Sequence, residues 1–319
     1  MVEKSGGDRA FRTDRLNGMG GEPTYAGALS FMRRKYTRDL AGVDVAVTGI
    51  PLDLATTNRP GARFGPAAVR RASAMLSWGK PWPWGLDPFE RLAVVDYGDC
   101  WFDFGRPETV ADAIEAHAET ILAAGTSMLS LGGDHFVSYP LLRAHHAVHG
   151  PLSLIHFDAH SDTWREDGRR LDHGTMFFHA AEEGLVDPGR SVQIGIRTGN
   201  DEDHGFHIID AFQLQRAGAD AVAAEIRRIV GANKAYLTFD VDCLDPSCAP
   251  GTGTPVVGGP TTAQARAIVH GLRDIRFVGM DVVEVAPAYD VADITALAAA
   301  TIACDYLCLI AAQRQAAAV

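Results

Sequence analysis

The sequence predicts an α/β fold, a three-layer αβα arrangement built around a mainly parallel central sheet, and three observations lead there. Short apolar runs recur, each bounded by Gly, Asp or Pro; helix-like stretches lie between them; and no Ser-rich linker, low-complexity tract, composition break or fixed-period repeat divides the pattern. Near-continuous apolar strands belong to a sheet covered on both faces, and a strand that returns through a helix runs parallel to the last one.

In chain order, residues 1–30 read as an irregular arm, charged and Gly-containing at its start, without the apolar stretch of a secretory leader. One catalytic domain is expected over 31–319, although length alone permits one domain or two. Strands are expected at 45–50, 92–95, 127–131, 152–157, 191–196, 235–239 and 275–280. A helix is expected over 107–124, and another over 262–272, where Thr261 and Gln264 form a capping-box pattern. The segment 294–312 is apolar but interrupted by Thr295, Thr301 and Asp305, so it reads as a buried Ala-rich helix, since a membrane span needs ~18 predominantly apolar residues.

The composition narrows the function classes. Lys and Arg total 29 against 40 Asp and Glu, a net charge of -11, which argues against nucleic acid and acidic lipid as partners and favours small cationic ones. The five cysteines, at 100, 243, 248, 304 and 308, are odd in number and scattered, which points to a reducing, cytoplasmic compartment without structural disulfides. Cys304 and Cys308 share a helix face and read as small buried side chains.

Ligands of open parallel sheets gather at the carboxyl ends of strands, so polar residues that close an apolar run carry the functional signal. Gly132-Gly133-Asp134-His135 follows Leu131; His156-Phe157-Asp158-Ala159-His160-Ser161-Asp162 follows Leu154-Ile155; Asp240-Val241-Asp242 follows Phe239; and Glu284 follows Val282-Val283. Extended backbone sends alternate side chains to one side, so Asp158, His160 and Asp162 converge, as do Asp240 and Asp242. With His135 they make four carboxylates and two imidazoles, too many for one zinc and too rich in nitrogen for calcium or magnesium. A pair of Mn²⁺ ions suits such a mixed set, and four carboxylates gathered without a cation would repel at heavy cost. His117, His145, His146, His149, His179 and His270 close no such run and read as surface or satisfied core residues.

At these positions the sequence resembles the ureohydrolase family of arginases and agmatinases, most of all its bacterial agmatinases, from about Val45 to the C-terminus. The resemblance rests on Ser130-Leu131-Gly132-Gly133-Asp134-His135, Phe157-Asp158-Ala159-His160-Ser161-Asp162, Phe239-Asp240-Val241-Asp242 with Asp245-Pro246, Gly251-Thr252-Gly253-Thr254-Pro255 and Met280-Asp281-Val282-Val283-Glu284. It implies an arginase-like fold, a homo-oligomer (trimer or hexamer) and two Mn²⁺ per subunit. His135 and Asp162 would hold one ion, His160 and Asp242 the other, and Asp158 and Asp240 would bridge them. It also implies that His173, in His173-Gly174-Thr175, shuttles a proton, that Glu284 holds a guanidinium and that Thr254 steadies it. The implied reaction is Mn-dependent hydrolysis of agmatine to urea and putrescine by a metal-bridging hydroxide, with Asp158 or His173 protonating the departing amine.

The substrate tail is less constrained. Arg165, Arg169 and Arg170, in the loop 163–172, leave 4-guanidinobutanoate or another guanidino acid open as the alternative substrate if one of them lines the pocket, and a solvated loop face if none does. The acidic stretch 200–203 with His204 either helps draw in a dication or is a solvated loop, and Trp78, Trp82 and Trp84 read as ordinary loop packing. The intact ligand set argues against a one-metal deacetylase and against a non-catalytic binding module.

Overall fold

The structure, a computed structural model, describes residues 10, 16–18, 23–165, 170–200 and 202–317. Nine strands form one sheet among these residues: β1 (Lys35–Tyr36), β2 (Val45–Ile50), β3 (Val94–Asp99), β4 (Ser127–Gly132), β5 (Ser153–Phe157), β6 (Val192–Ile194), β7 (His207–Ile209), β8 (Lys234–Asp240) and β9 (Arg276–Val283). Their order is β1-β3-β2-β4-β9-β8-β5-β6-β7, and every pairing is parallel. The helices used below are α1 (Gly65–Ser73), α2 (Val110–Ala123), α3 (Ser138–His149), α4 (Met176–Glu182), α5 (Ala211–Ala217), α6 (Ala219–Val230), α7 (Thr262–His270) and α8 (Ile294–Ala317).

The sheet is covered on both sides, as its apolar strands require. On one face α1, α6, α7 and α8 pack over Val45, Val47, Leu129, Leu131, Ile155 and Phe157. On the other, α2, α3 and α4 pack over Ala46, Met128 and Leu154. Thr261 and Gln264 make both reciprocal bonds of the capping box at the start of α7.

The sequence-predicted strands all form, with informative shifts. Expected at 92–95, β3 runs on through the buried Asp96, and β9 runs on through the buried Asp281. A carboxylate ordinarily marks a strand's end, but the guanidinium of Arg70 satisfies Asp96, and Ser138, Tyr236 and Thr238 satisfy Asp281. The two strands missing from the sequence reading are β1 and β7, edge strands of two and three residues, too short to show a period.

Helix α8 is long and apolar enough to cross a membrane, yet 78% of its apolar window is buried inside the fold, where it packs on α1 and α7. Its interrupting Asp305 is buried and accepts bonds from Arg266 (2.6 and 3.0 Å) and from the Trp84 indole (2.8 Å). Trp84 thus packs internally, whereas Trp78 and Trp82 are exposed. All five cysteines are free thiols, and Cys304 and Cys308 are buried on α8.

Candidate active site

The carboxyl ends of β4, β5, β8 and β9, neighbours at the middle of the sheet, supply the polar cluster. After β4 the chain turns hard against the loop that follows β2. A Cβ on Gly133 would stand 2.2 Å from the Leu52 carbonyl oxygen, so only glycine fits, and the Asp134 N–H donates to that same carbonyl at 2.7 Å. His135 then opens the 3-10 turn His135–Val137 that leads into α3. After β5, Asp162 takes a left-handed φ of 52°, and after β9 Glu284 takes one of 66°, conformations that bend both side chains back towards the strand ends.

These turns bring the sequence-predicted residues together. His135 Nδ1 stands 3.0 Å from Asp158 Oδ2, 3.1 Å from Asp162 Oδ2 and 3.3 Å from Asp240 Oδ2. His160 Nδ1 stands 3.0 Å from Asp242 Oδ2 and 3.3 Å from Asp158 Oδ1. Asp158 therefore presents one oxygen to each half of the cluster. Asp240 faces the first half with Oδ2, while its Oδ1 accepts the Asp242 N–H at 2.7 Å.

Electrostatics show what the cluster lacks. Burial raises Asp240 well above the usual carboxylate range, with Asp242 and Asp158 adding to it; burial and then Asp158 raise Asp242; and burial, Asp134 and Asp240 raise Glu284 well above its range. Burial opposes protonation of the imidazoles, but Asp158, Asp162 and Asp240 carry His135 well above its ordinary value, and Asp158 and Asp242 carry His160 up to about 12. Asp158 alone goes the other way: burial would raise it, but His156, His135 and His160 hold it well below. A site that draws protons onto acids and bases alike is short of positive charge.

The donor set fits divalent metal. Among the described residues His135 Nδ1 is buried and has no hydrogen-bond partner, although three carboxylate oxygens stand 3.0–3.3 Å from it, the arrangement expected of donors gathered for a cation. Its Nε2 is 2.8 Å from Thr238 Oγ1, which donates to Asp281, so Nε2 carries the proton and Nδ1 is the ligand atom.

A third group lies beside the first two. Asp134, His173 and Glu284 have ligand-type atoms within 4.8 Å of one another, and His173 Nδ1 is 2.9 Å from Asp134 Oδ2. Burial opposes protonation of His173, but Asp134 raises it to about 9. Glu284 Oε1 accepts the His135 N–H at 2.7 Å, and Oε2 lies beside Gly253. The Thr254 hydroxyl donates to Asp242 Oδ2 at 3.2 Å. Together they border a cavity of about 290 Å³, whose outer wall includes Thr56, Thr57, Trp164, Arg170 and Asp172.

Of the loop arginines, Arg170 lines the cavity with its Nε bonded to Asp172 at 2.5 Å. Arg165 is exposed and lies 3.9 Å from Glu202, and Arg169 falls outside the described residues, as does Asp201 of the acidic stretch. Sequence reasoning passed over Asp134 as the partner of His173, and His156, Thr238 and Asp281 as supports of the cluster. A polar residue inside an apolar strand was the available signal for the last three.

Comparisons with known proteins agree with this geometry. The model of the arginase family matches residues 43–308. The agmatinase of Chromobacterium violaceum is 61% identical over 305 residues, 95% of each chain, and that of Edwardsiella ictaluri is 56% identical over 85% of this chain and 89% of its own. Among solved structures, a hypothetical agmatinase from Burkholderia thailandensis superposes with a TM-score of 0.95 at 59% identity, covering 97% of this chain and 99% of that one. The proclavaminate amidino hydrolase of Streptomyces clavuligerus follows with 0.85 at 37% identity, over 92% and 100%.

Proposed function

The chain belongs to the arginase family, and we propose that it is a hydrolase that cleaves agmatine to urea and putrescine at a dinuclear manganese centre. The observation that carries this reading is the partnerless His135 Nδ1 facing three carboxylate oxygens, with Asp158 reaching from that group to His160 and Asp242. His135 and Asp162 would hold one ion, His160 and Asp242 the other, with Asp158 and Asp240 shared. Manganese is favoured over zinc by the number of carboxylates, and over magnesium by the imidazoles. When bound, the two ions supply an activated water strong enough to attack a guanidinium carbon at neutral pH.

The chain's own groups do the rest. Glu284 meets the guanidinium with Oε2, its Oε1 being engaged by the His135 N–H, and so fixes the carbon beside the cluster. A cation there offsets the burial, and the repulsion from Asp134 and Asp240, that hold Glu284 towards its protonated form. Thr254, bonded to Asp242, keeps the opposite wall in register. The departing amine needs a proton, and His173 is better placed to give it than Asp158. Asp158 is wholly buried with both oxygens occupied, whereas His173 is part-exposed on the cavity and, with Nδ1 on Asp134, can transfer its proton at Nε2.

Arg170 on the cavity wall favours a carboxylate-tailed substrate, 4-guanidinobutanoate, as the second reading. Its charge is matched by Asp172, while Asp134 and Glu284, carboxylates not given to the ions, line the same cavity, so a dication is the better fit. We further place the protein in the cytoplasm as a homo-oligomer, a trimer or hexamer, of a single catalytic domain over 31–319. Light scattering on the eluting protein checks the oligomer. For the activity, the manganese-loaded protein is assayed for urea release from agmatine, arginine and 4-guanidinobutanoate. Agmatine is expected to have the largest kcat/KM, and dominance of the carboxylate-tailed compound would overturn the substrate while sparing the chemistry.

A further inference from the structure

Two fully buried polar side chains, His156 on β5 and Gln193 on β6, stand directly opposite each other across the strand pair, where apolar residues would ordinarily pack. His156 Nε2 is 2.8 Å from Asp158 Oδ2, the oxygen that faces His135. His156 Nδ1 is 3.1 Å from the Gln193 side-chain nitrogen, and that nitrogen also donates to the Ser161 carbonyl at 2.6 Å. The Phe177 ring closes over His156 at 4.6 Å between centroids.

The chemistry of these contacts fixes every proton. The Ser161 carbonyl can only accept, so the amide nitrogen of Gln193, not its oxygen, must face it. That nitrogen's second proton then points at His156 Nδ1, which is left as an acceptor. The proton of the neutral ring therefore sits on Nε2 and is donated to Asp158. Ser161 lies between His160 and Asp162, so the same amide also pins the backbone that carries both.

We infer that His156 and Gln193 form a positioning pair for the metal cluster. Gln193 sets the tautomer of His156 and the path of the 158–162 loop, and His156 holds the Asp158 carboxylate rotated so that one oxygen serves each half. The inference rests on the dinuclear reading of the site.

Equilibrium dialysis against Mn²⁺ alone, followed by atomic absorption, tests it on the full-length protein, with kcat and KM for agmatine measured at saturating Mn²⁺. His156→Phe keeps the ring against Phe177 and removes the donor. Its Mn²⁺ affinity and its kcat are each expected to fall ~10–100-fold with KM little changed. His156→Gln, whose amide can still donate, should recover part of both. A His156→Phe protein that keeps wild-type Mn²⁺ affinity and kcat, or that loses only thermal stability, overturns the inference. If His156→Phe does not fold, Gln193→Met decides: weakened Mn²⁺ binding supports the pair, and unchanged binding overturns it. Should the wild-type protein release no urea from agmatine, the functional reading fails, while the Mn²⁺ affinities of the variants still judge the pair.

Discussion

Two groups of carboxylates buried at the sheet differ in that the chain supplies a guanidinium to one and not, among the described residues, to the other. Asp96 on β3 receives Arg70 from α1 at 2.8 and 3.0 Å, and the same guanidinium reaches Asp99 at 2.6 Å. Burial of Arg70 works against its charge, but Asp96 and Asp99 outweigh it and hold the guanidinium protonated. Asp158, Asp162, Asp240 and Asp242, a few strands away, have imidazoles and one another for company and, among the described residues, no ion pair with Lys or Arg. Buried charge that brings its own counterion is structure, whereas buried charge that leaves the counterion to solution is a binding site. His145 on α3 is a third case, a wholly buried imidazole whose Nε2 has no partner among the described residues, kept neutral by burial.

The contrast is broken most directly by removing an oxygen from the open cluster. Asp240→Asn should lower kcat/KM for agmatine by more than ~100-fold, beyond the usual cost of losing a mere support of a ligand. Its manganese content, measured by atomic absorption, should fall below two per chain, and two tightly held ions in the variant would refute the shared role of Asp240.

The closed group should respond in stability instead. Arg70→Met leaves Asp96 buried without its cation and is expected to cost ~3–5 kcal/mol in denaturant unfolding, with no change in the manganese bound by the folded fraction. A variant that kept its stability but lost metal would erase the distinction.

His145 sharpens the comparison through pH. Burial lowers its pKa from 6.5 to about 4, so between those values the unfolded chain takes a proton that the folded chain refuses. Its contribution to stability is therefore full above pH 6.5 and is lost as pH falls towards 4, by ~3 kcal/mol at about 1.4 kcal/mol per unit. His145→Gln should flatten that part of the stability curve, and an unchanged slope would show that the ring is not the source.

The smallest effect, counted per ion, is that of the metal on folding. Adding Mn²⁺ at ~100 times its dissociation constant should stabilise the wild-type protein by ~2.7 kcal/mol per site, read as a rise in Tm that a chelator reverses. Asp240→Asn should show less of this rise and Arg70→Met all of it.

The sequence alone determined the seven principal strands and the polar residues, proposed as ligands, that close three of them, because both depend on short-range rules. An apolar run predicts a covered strand, and residues two apart on extended chain face the same way, so Asp158, His160 and Asp162 announce their convergence without any knowledge of the fold. Only the tertiary structure decided which groups stand across from them. That β6 lies beside β5 puts Gln193 against His156, that β9 lies beside β8 puts Asp281 against Thr238, and the chain beyond Asp162 puts His173 on Asp134. Strand order is set by crossovers whose packing sums many weak contacts over the whole domain, and no local spacing encodes that sum.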